Sequence, residues 1–259
     1  MGCATTTNSH AHLQESDEVK SRQFRDSSVL RMKKFSPHLE ILPAAQRQLW
    51  SELAQVPGEF TLYGGTAIAL HLGHRQSVDF DFFGKRPFDP AELQAAIPFL
   101  AKAQATRREK NTLTAILDRG GKVTVSFFGV PKLPRLVPPL VSEDNGLKIA
   151  SLLDLAGTKA SVVQLRAEAK DYIDLDTLIT RGGITLLAAL AAARALYGVS
   201  FNPQITLKSL SYFDDGDLRS LPEESKARLV AAARDVDLDR LPLLSDLTRD
   251  KAQQLGMGL

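Results

Sequence analysis

Cysteine is almost missing from this sequence: the 259-residue chain has one, Cys3. A single thiol excludes an intramolecular disulfide and a cysteine-based zinc site, and it favours a reducing compartment, so a cytoplasmic location is expected. Long apolar runs are missing as well. The most apolar stretch, Ile184 to Leu196, is Ala-rich, contains Arg194 and falls short of the roughly 18 apolar residues that a membrane span needs. No membrane partner is expected. Charge of one sign is lacking too, because 32 basic and 30 acidic side chains leave a formal net charge of +2, which demands neither a nucleic-acid nor a membrane surface. Any basic site must be local, and residues 102–148 are the candidate, with nine Lys and Arg against four acids.

What is present is the material for a core. Apolar residues make up 44% of the chain, enough for one large domain or two modest ones. Residues 1–31 are polar and carry no periodic apolar stripe, so a poorly ordered tail is expected there. Its first residues fit the Met-Gly-x-x-x-Thr myristoylation pattern, a match too short to carry weight. Apolar positions from Leu39 to Val56 recur at helical spacing, with Pro43 suited to the first turn and Pro57-Gly58 to the end. Phe60 to Tyr63 reads as a strand, Gly64-Gly65 as a tight turn, Thr66 to Leu72 as a helix and Ser77 to Phe83 as a second strand. Asp89-Pro90 starts a helix expected to reach about Ala105.

Thr112 to Leu117 and Lys122 to Phe128 are predicted strands, joined by the hairpin signal Asp118-Arg119-Gly120-Gly121. Val130 to Pro139 reads as a loop and Leu147 to Ala150 as one more short strand. Ser151 caps a long helix in which Asp154 is placed to reach back to the cap. Lys170 to Asp176 begins another, and Ile184 to Leu196, Gln204 to Phe213 and Pro222 to Ala233 read as further helices. The expected organisation is a tail over 1–31, an α+β core over 32–150, and a helical region over 151–259 that contributes to the core's site.

The chemistry gathers at the first of these turns. Behind Gly64-Gly65 the helix leaves its first N–H groups free, which makes an anion site. Asp79 and Asp81 stand two residues apart on a strand and so share a face; among Val78, Phe80, Phe82 and Phe83, two carboxylates want a cation. On the helix after Ser151, Lys159 and Arg166 point from one surface. Free amides for phosphate oxygens, paired hard-oxygen ligands for Mg2+ or Mn2+, and cations for the leaving phosphates together suit a nucleoside triphosphate. Arg75 can pair with Asp79 or meet a phosphate, and the sequence does not separate the two. His71 and His74, three residues apart with no third ligand nearby, read as an ordinary helix surface. Asp214-Asp215-Gly216-Asp217 lacks the alternation of a calcium loop and reads as a turn.

Taken in order, Gly64-Gly65-Thr66-Ala67, Arg75-x-Ser77-x-Asp79-Phe80-Asp81-Phe82-Phe83, and the later set Asp154, Lys159, Arg166 and Lys170-Asp171-Tyr172-x-Asp174 resemble the AbiEii/AbiGii nucleotidyltransferase toxin family. That family is a branch of the DNA polymerase β nucleotidyltransferase superfamily. The resemblance covers Phe35 to Ile179. It implies an α+β fold, a small mixed β-sheet flanked by helices with a helical C-terminal region. It also implies a transferase that moves a nucleoside monophosphate from a triphosphate to a hydroxyl acceptor such as tRNA, in a phage-defence or toxin–antitoxin setting with a cognate antitoxin.

On this reading Asp79 and Asp81 are catalytic and bind the metal. Gly64, Gly65, Thr66, Arg75, Ser77 and Arg166 bind the nucleotide, and Lys159, Asp171 and Asp174 belong to the later catalytic motifs. Two departures stand out. The turn has Gly65 followed by Thr66 where the superfamily has Gly-Ser, and Ser126 occupies the strand where a third carboxylate helps deprotonate the attacking hydroxyl. A serine cannot be that base at neutral pH. Either Asp171 or Asp174 substitutes, or the protein is a catalytically weak nucleotide-binding interaction protein; a small-molecule acceptor such as an antibiotic is a further alternative.

Overall fold

The computed structural model describes residues 33–132 and 134–242. The expected N-terminal tail, with Cys3 and the myristoylation pattern, lies outside the described residues. Within them, eight strands form one mixed sheet: β1 (Lys34–Phe35), β2 (Phe60–Tyr63), β3 (Asp79–Gly84), β4 (Gln104–Glu109), β5 (Thr112–Asp118), β6 (Lys122–Gly129), β7 (Leu140–Ser142) and β8 (Lys148–Ile149). Their order across the sheet is β1-β7-β8-β2-β3-β6-β5-β4. The helices are α1 (Ala44–Trp50), α2 (Gly64–Leu72), α3 (Pro90–Ala96), α4 (Leu152–Val162), α5 (Ala169–Thr180), α6 (Leu186–Tyr197), α7 (Pro203–Ser209) and α8 (Glu223–Arg234). This is the α+β arrangement that the sequence predicts. No helix among the described residues is long and apolar enough to cross a membrane.

The middle of the sheet positions the site. β3 runs antiparallel to β2, with Tyr63 opposite Asp81, and parallel to β6, with Asp81 opposite Ser126. Side chains alternate faces along a strand, so Phe80 and Phe82 enter the core while Asp79, Asp81 and Phe83 stay partly open. Phe82 stacks on Phe127 at 5.1 Å, and Phe60 meets the same ring edge-on at 5.1 Å. Slipping β3 by one residue would expose both rings, at about 1.5–3 kcal/mol each, and drive both carboxylates into the core. The apolar face thus fixes where the carboxylates point.

The helical side is attached through α4. The Ser151 hydroxyl accepts the Asp154 N–H at 3.1 Å and bonds the Asp154 carboxylate at 2.5 Å. The same carboxylate accepts the backbone N–H groups of Leu136 and Val137 at 3.0 and 3.1 Å, so the cap also pins the proline-rich loop before β7. Burial raises the Asp154 carboxyl above its ordinary range, and these hydrogen bonds work against that rise.

Three predicted elements differ. The helix after Ser151 ends at Val162, so Arg166 lies in the loop beyond it rather than on the helix with Lys159. The helix after Asp89 ends at Ala96, because the residue before Pro98 is excluded from the helical region and Ile97 is extended. Residues Gln104 to Glu109 instead form the edge strand β4. The helix after Pro43 is interrupted at Ser51 and finishes as a 3-10 turn, Glu52–Gln55.

Where α4 crosses α6 the backbones nearly touch. A Cβ added at Gly157 would stand 3.0 Å from Ala192 Cβ and 2.9 Å from Leu196 Cδ1. Alanine there regains about 0.5–1 kcal/mol of helix preference against a crowding cost of about 1–3 kcal/mol, whereas a branched side chain only adds crowding. Gly157→Val is therefore expected to lower stability by about 2 kcal/mol in urea unfolding; an unchanged midpoint would show that the crossing has slack.

Candidate active site

Two glycines let three charged side chains reach the backbone at the start of α2. Gly64 has φ +76°, a left-handed step that turns β2 into the helix, and a Cβ there would lie 3.1 Å from Asp81 Oδ2. At Gly65 a Cβ would run into the Arg75 guanidinium and stand 3.2 Å from Asp174 Oδ2. Glycine is required for approach here as much as for turning. The next residue, Thr66, is buried. Its hydroxyl bonds the Asp79 carbonyl and shares a 2.7 Å hydrogen bond with the Ser77 hydroxyl. Both hydroxyls are thereby engaged in holding β3 to the start of α2, and the first N–H groups of α2 are left as the anion donors of this turn.

Asp79 is exposed and Asp81 half-buried on the same face of β3. Burial is the main cause that raises the Asp81 carboxyl, with the Asp79 charge adding to it; a hydrogen bond from Ser126 and the charges of Lys159 and Arg166 oppose the rise. A carboxylate held above its usual range by a like-charged neighbour is relieved by a bound cation. Among the described residues no cluster of three or more His, Cys, Asp or Glu is placed to hold a metal. The pair fits the hard cation that takes one or two carboxylates and completes its shell with water and substrate phosphates, which is Mg2+ or its kin.

Behind the turn lies a buried ionic cluster. Asp174, fully buried, accepts from Arg75 Nε at 2.7 Å and Nη2 at 2.8 Å, from His74 Nε2 at 2.7 Å, and pairs with Lys159 Nζ at 2.8 Å. Asp171, also fully buried, takes the same Lys159 Nζ at 2.5 Å and Arg166 Nε at 2.7 Å. Lys159 therefore bridges the two carboxylates. Burial alone would raise both acids, but the hydrogen bonds of His74 and Arg75 with the charge of Lys159 hold Asp174 far below the carboxylate range. Arg166 and Lys159 hold Asp171 below it in the same way. Carboxylates so stabilised are poor proton acceptors. Their geometry suits holding cations in place.

The two halves face one cavity of about 360 Å³, lined among others by Gly65, Asp79, Asp81, Lys159, Arg166 and Tyr197. All the sequence-predicted site residues except Asp174 line it, and Asp174 stands directly behind Arg75 and Lys159. Tyr63, on the same wall, has its phenol pushed up to about 12 by burial and by the Asp154 charge, so it stays neutral at physiological pH.

Arg75 pairs with neither Asp79 nor open space but with Asp174, 99 residues away in sequence. The two histidines are not helix surface: His74 is buried on Asp174, beyond the left-handed Gly73 that ends α2, and His71 donates its Nε2–H to the Ala150 carbonyl at 2.9 Å while stacking on Phe35. The one signal for His74 was that it precedes Arg75 in the same short loop. Asp217 caps α5, accepting the Ala169 N–H at 2.6 Å, as fits a turn. Of the basic residues between 102 and 148, Arg108, Arg119, Arg135 and Lys148 are tied to Gln94, Glu52, Thr61 and the Gly58 carbonyl, so the patch is thinner than its composition implies.

A family model described as "Nucleotidyl transferase AbiEii toxin, Type IV TA system" matches residues 48–246. An uncharacterized protein of Aquifex aeolicus (strain VF5) is 35% identical over 160 residues, 61% of this chain and 75% of its own length. The solved structure of MenT4, a nucleotidyltransferase toxin from Mycobacterium tuberculosis H37Rv, is similar with a TM-score of 0.55 at 15% identity, over 84% of this chain and 89% of that one. At that identity the likeness bears on the fold.

Two outcomes follow from the ionic cluster. Asp174→Ala leaves Arg75 without its carboxylate partner and Lys159 with Asp171 alone, and is expected to cost about 3–5 kcal/mol in urea unfolding at neutral pH. Because the folded pKa values of Asp171 and Asp174 lie below the unfolded ones, their stabilisation is complete above the unfolded carboxylate value, about 3.9, starts to be lost as pH falls below it, and is gone only once pH has passed below the depressed folded values. The wild type should lose more stability than Asp174→Ala between about pH 5 and pH 3; parallel losses in the two proteins would show that the cluster does not couple to acid.

Proposed function

This chain belongs to the AbiEii nucleotidyl transferase toxin family, and from that premise we propose that it transfers a nucleoside monophosphate from a nucleoside triphosphate to a hydroxyl of RNA, with tRNA as the acceptor. One observation carries the reading: free amides at Gly64-Gly65, the Asp79 and Asp81 carboxylates and the Lys159 and Arg166 cations surround a single cavity. In the reaction the acceptor oxygen forms a bond to the α-phosphorus as the α–β bridging P–O bond breaks. Pyrophosphate leaves with the electron pair, and the acceptor proton is released to water.

Asp79 and Asp81 would hold the divalent cation, Mg2+ or Mn2+, which when bound would offset triphosphate charge and acidify the acceptor hydroxyl. The amides of Gly65 and the residues after it bind phosphate oxygens. Lys159 and Arg166 face the leaving pyrophosphate. Asp171 and Asp174 act as positioning residues, fixing Lys159, Arg166 and Arg75 at the cavity wall before substrate arrives, so little ordering remains at the moment of reaction. The family setting adds a cognate antitoxin as partner. A cytoplasmic location agrees with the reducing compartment that one cysteine favours.

A second reading has one observation in its favour. Ser126 lies beside Asp81 in register where a third carboxylate would act on the acceptor, which suits a protein that binds nucleotide and turns it over weakly.

The experiment is to incubate the protein with each α-labelled triphosphate, total RNA and Mg2+ or Mn2+. Label is expected in RNA, and Asp81→Asn should reduce it on the order of a hundredfold or more, the scale of losing one charge-stabilising group. Metal-dependent nucleotide binding in calorimetry without label transfer would favour the second reading, and label in a small molecule would replace the RNA acceptor. Neither binding nor transfer would overturn both.

A further inference from the structure

The cavity is lined from β2, α2, the 75–78 loop, β3, α4, α5 and α6, with Phe83 the lining residue that leads from it towards β6. Displacement at phosphorus places the entering and leaving oxygens roughly in line on opposite sides. With the leaving phosphates at Gly65, Lys159 and Arg166, the acceptor must come from the other flank, over β6, β5 and β4. On that flank Phe83, Phe128, Thr112 and Thr114 are partly exposed, while Ser126 is buried between Asp81 and Thr114. The helices that pack on these strands do so on the far face, where Trp50 of α1 meets Phe80 and Gln94 of α3 bonds Arg108.

The near face has two parallel rows. Asp81, Ser126 and Thr114 are adjacent in register, and the Ser126 and Thr114 hydroxyls stand 3.4 Å apart. Beside them run Phe83, Phe128 and Thr112, with the two rings at 5.0 Å and 33°. Phe83, Phe128, Thr112 and Thr114 are all partly exposed. Strand geometry puts Phe128 about 8 Å from Asp81, Cα to Cα. Around the end of this face stand exposed Lys85, Arg86, Arg107 and Lys110, with Glu109 paired to Arg107.

Half-exposed aromatic rings beside a row of hydroxyls, rimmed by cations, are what unpaired nucleotides recognise: bases stack on rings, riboses and phosphates meet hydroxyls and positive charge. A base-paired end offers only the outer face of its last pair, whereas unpaired nucleotides can splay successive bases onto the two rings. We propose that Phe83 and Phe128, flanked by Thr112 and Thr114, are the platform on which the unpaired 3′-terminal nucleotides of the RNA acceptor dock. The platform rests on the nucleotidyl-transfer reading above. It assigns a role to the face that the carboxylate-free strand leaves open, binding the acceptor where a base would otherwise act on it.

The test compares a labelled RNA hairpin carrying a single-stranded 3′ extension with the same hairpin blunt-ended, by fluorescence anisotropy, alongside nucleotide binding by calorimetry. Wild type should bind the extended hairpin more tightly. Phe128→Ala should weaken that binding about tenfold or more, the scale of one lost stacking partner, with the nucleotide Kd within about twofold because Phe128 lies outside the cavity. Phe128→Leu, which keeps the apolar packing, should weaken RNA in the same way, and Phe128→Trp should retain it. Equal binding of blunt and extended RNA, or Phe128→Leu binding RNA as wild type does, would overturn the platform while leaving the nucleotide site standing. A wild type that binds no nucleotide would overturn the underlying reading and the platform with it.

Discussion

Lys159 bridging Asp171 and Asp174 is the interaction on which the rest of the site depends. An ammonium at that depth is costly without partners, and two carboxylates are costly without cations. Each makes the other tolerable. The cluster also joins what the chain keeps far apart, since α4 supplies Lys159, α5 supplies both acids and the loop after α2 supplies His74 and Arg75. Removing one member strands the others, so the cluster is better understood as a joint between the sheet and the helices than as a set of separate ion pairs.

From that joint the division of labour follows. Asp79 and Asp81 have no such cationic enclosure; Asp79 is open and Asp81 is held uneasily beside it. Two pairs of aspartates in one small region thus have opposite electrostatic characters, one pair satisfied by the cations of the protein and one pair left without such partners. Environment, not residue type, separates the structural acids from the chemical ones.

Much of this was legible because it is local. A glycine pair at a strand-to-helix turn, a two-residue carboxylate spacing and a lysine on a capped helix are patterns within a few residues, and each sits where the pattern put it. What escaped was of two kinds. Edge strand β4 is wet on both faces, so it shows no alternation, and Pro98 was the neglected stop before it; β1 and β7 are too short for periodicity to register. The second kind is pairing at a distance. Nothing in the spacing of Arg75 points to Asp174, and spacing alone puts His74 on a helix surface, whereas the left-handed Gly73 ends α2 before it. Asp171 and Asp174 looked available as bases only while their partners were unknown.

The span between Arg75 and Asp174 has a consequence in time. A contact across 99 residues cannot form until α5 has left the ribosome and folded against α2, and chains emerge N-terminus first. The glycine turn and the Asp79 and Asp81 carboxylates are synthesised early, yet Lys159 and Arg166 on the facing wall are absent or unanchored until synthesis is well advanced. In an unfinished chain that wall of the cavity is therefore incomplete, and the fold itself postpones assembly of the site until translation of the domain is nearly complete.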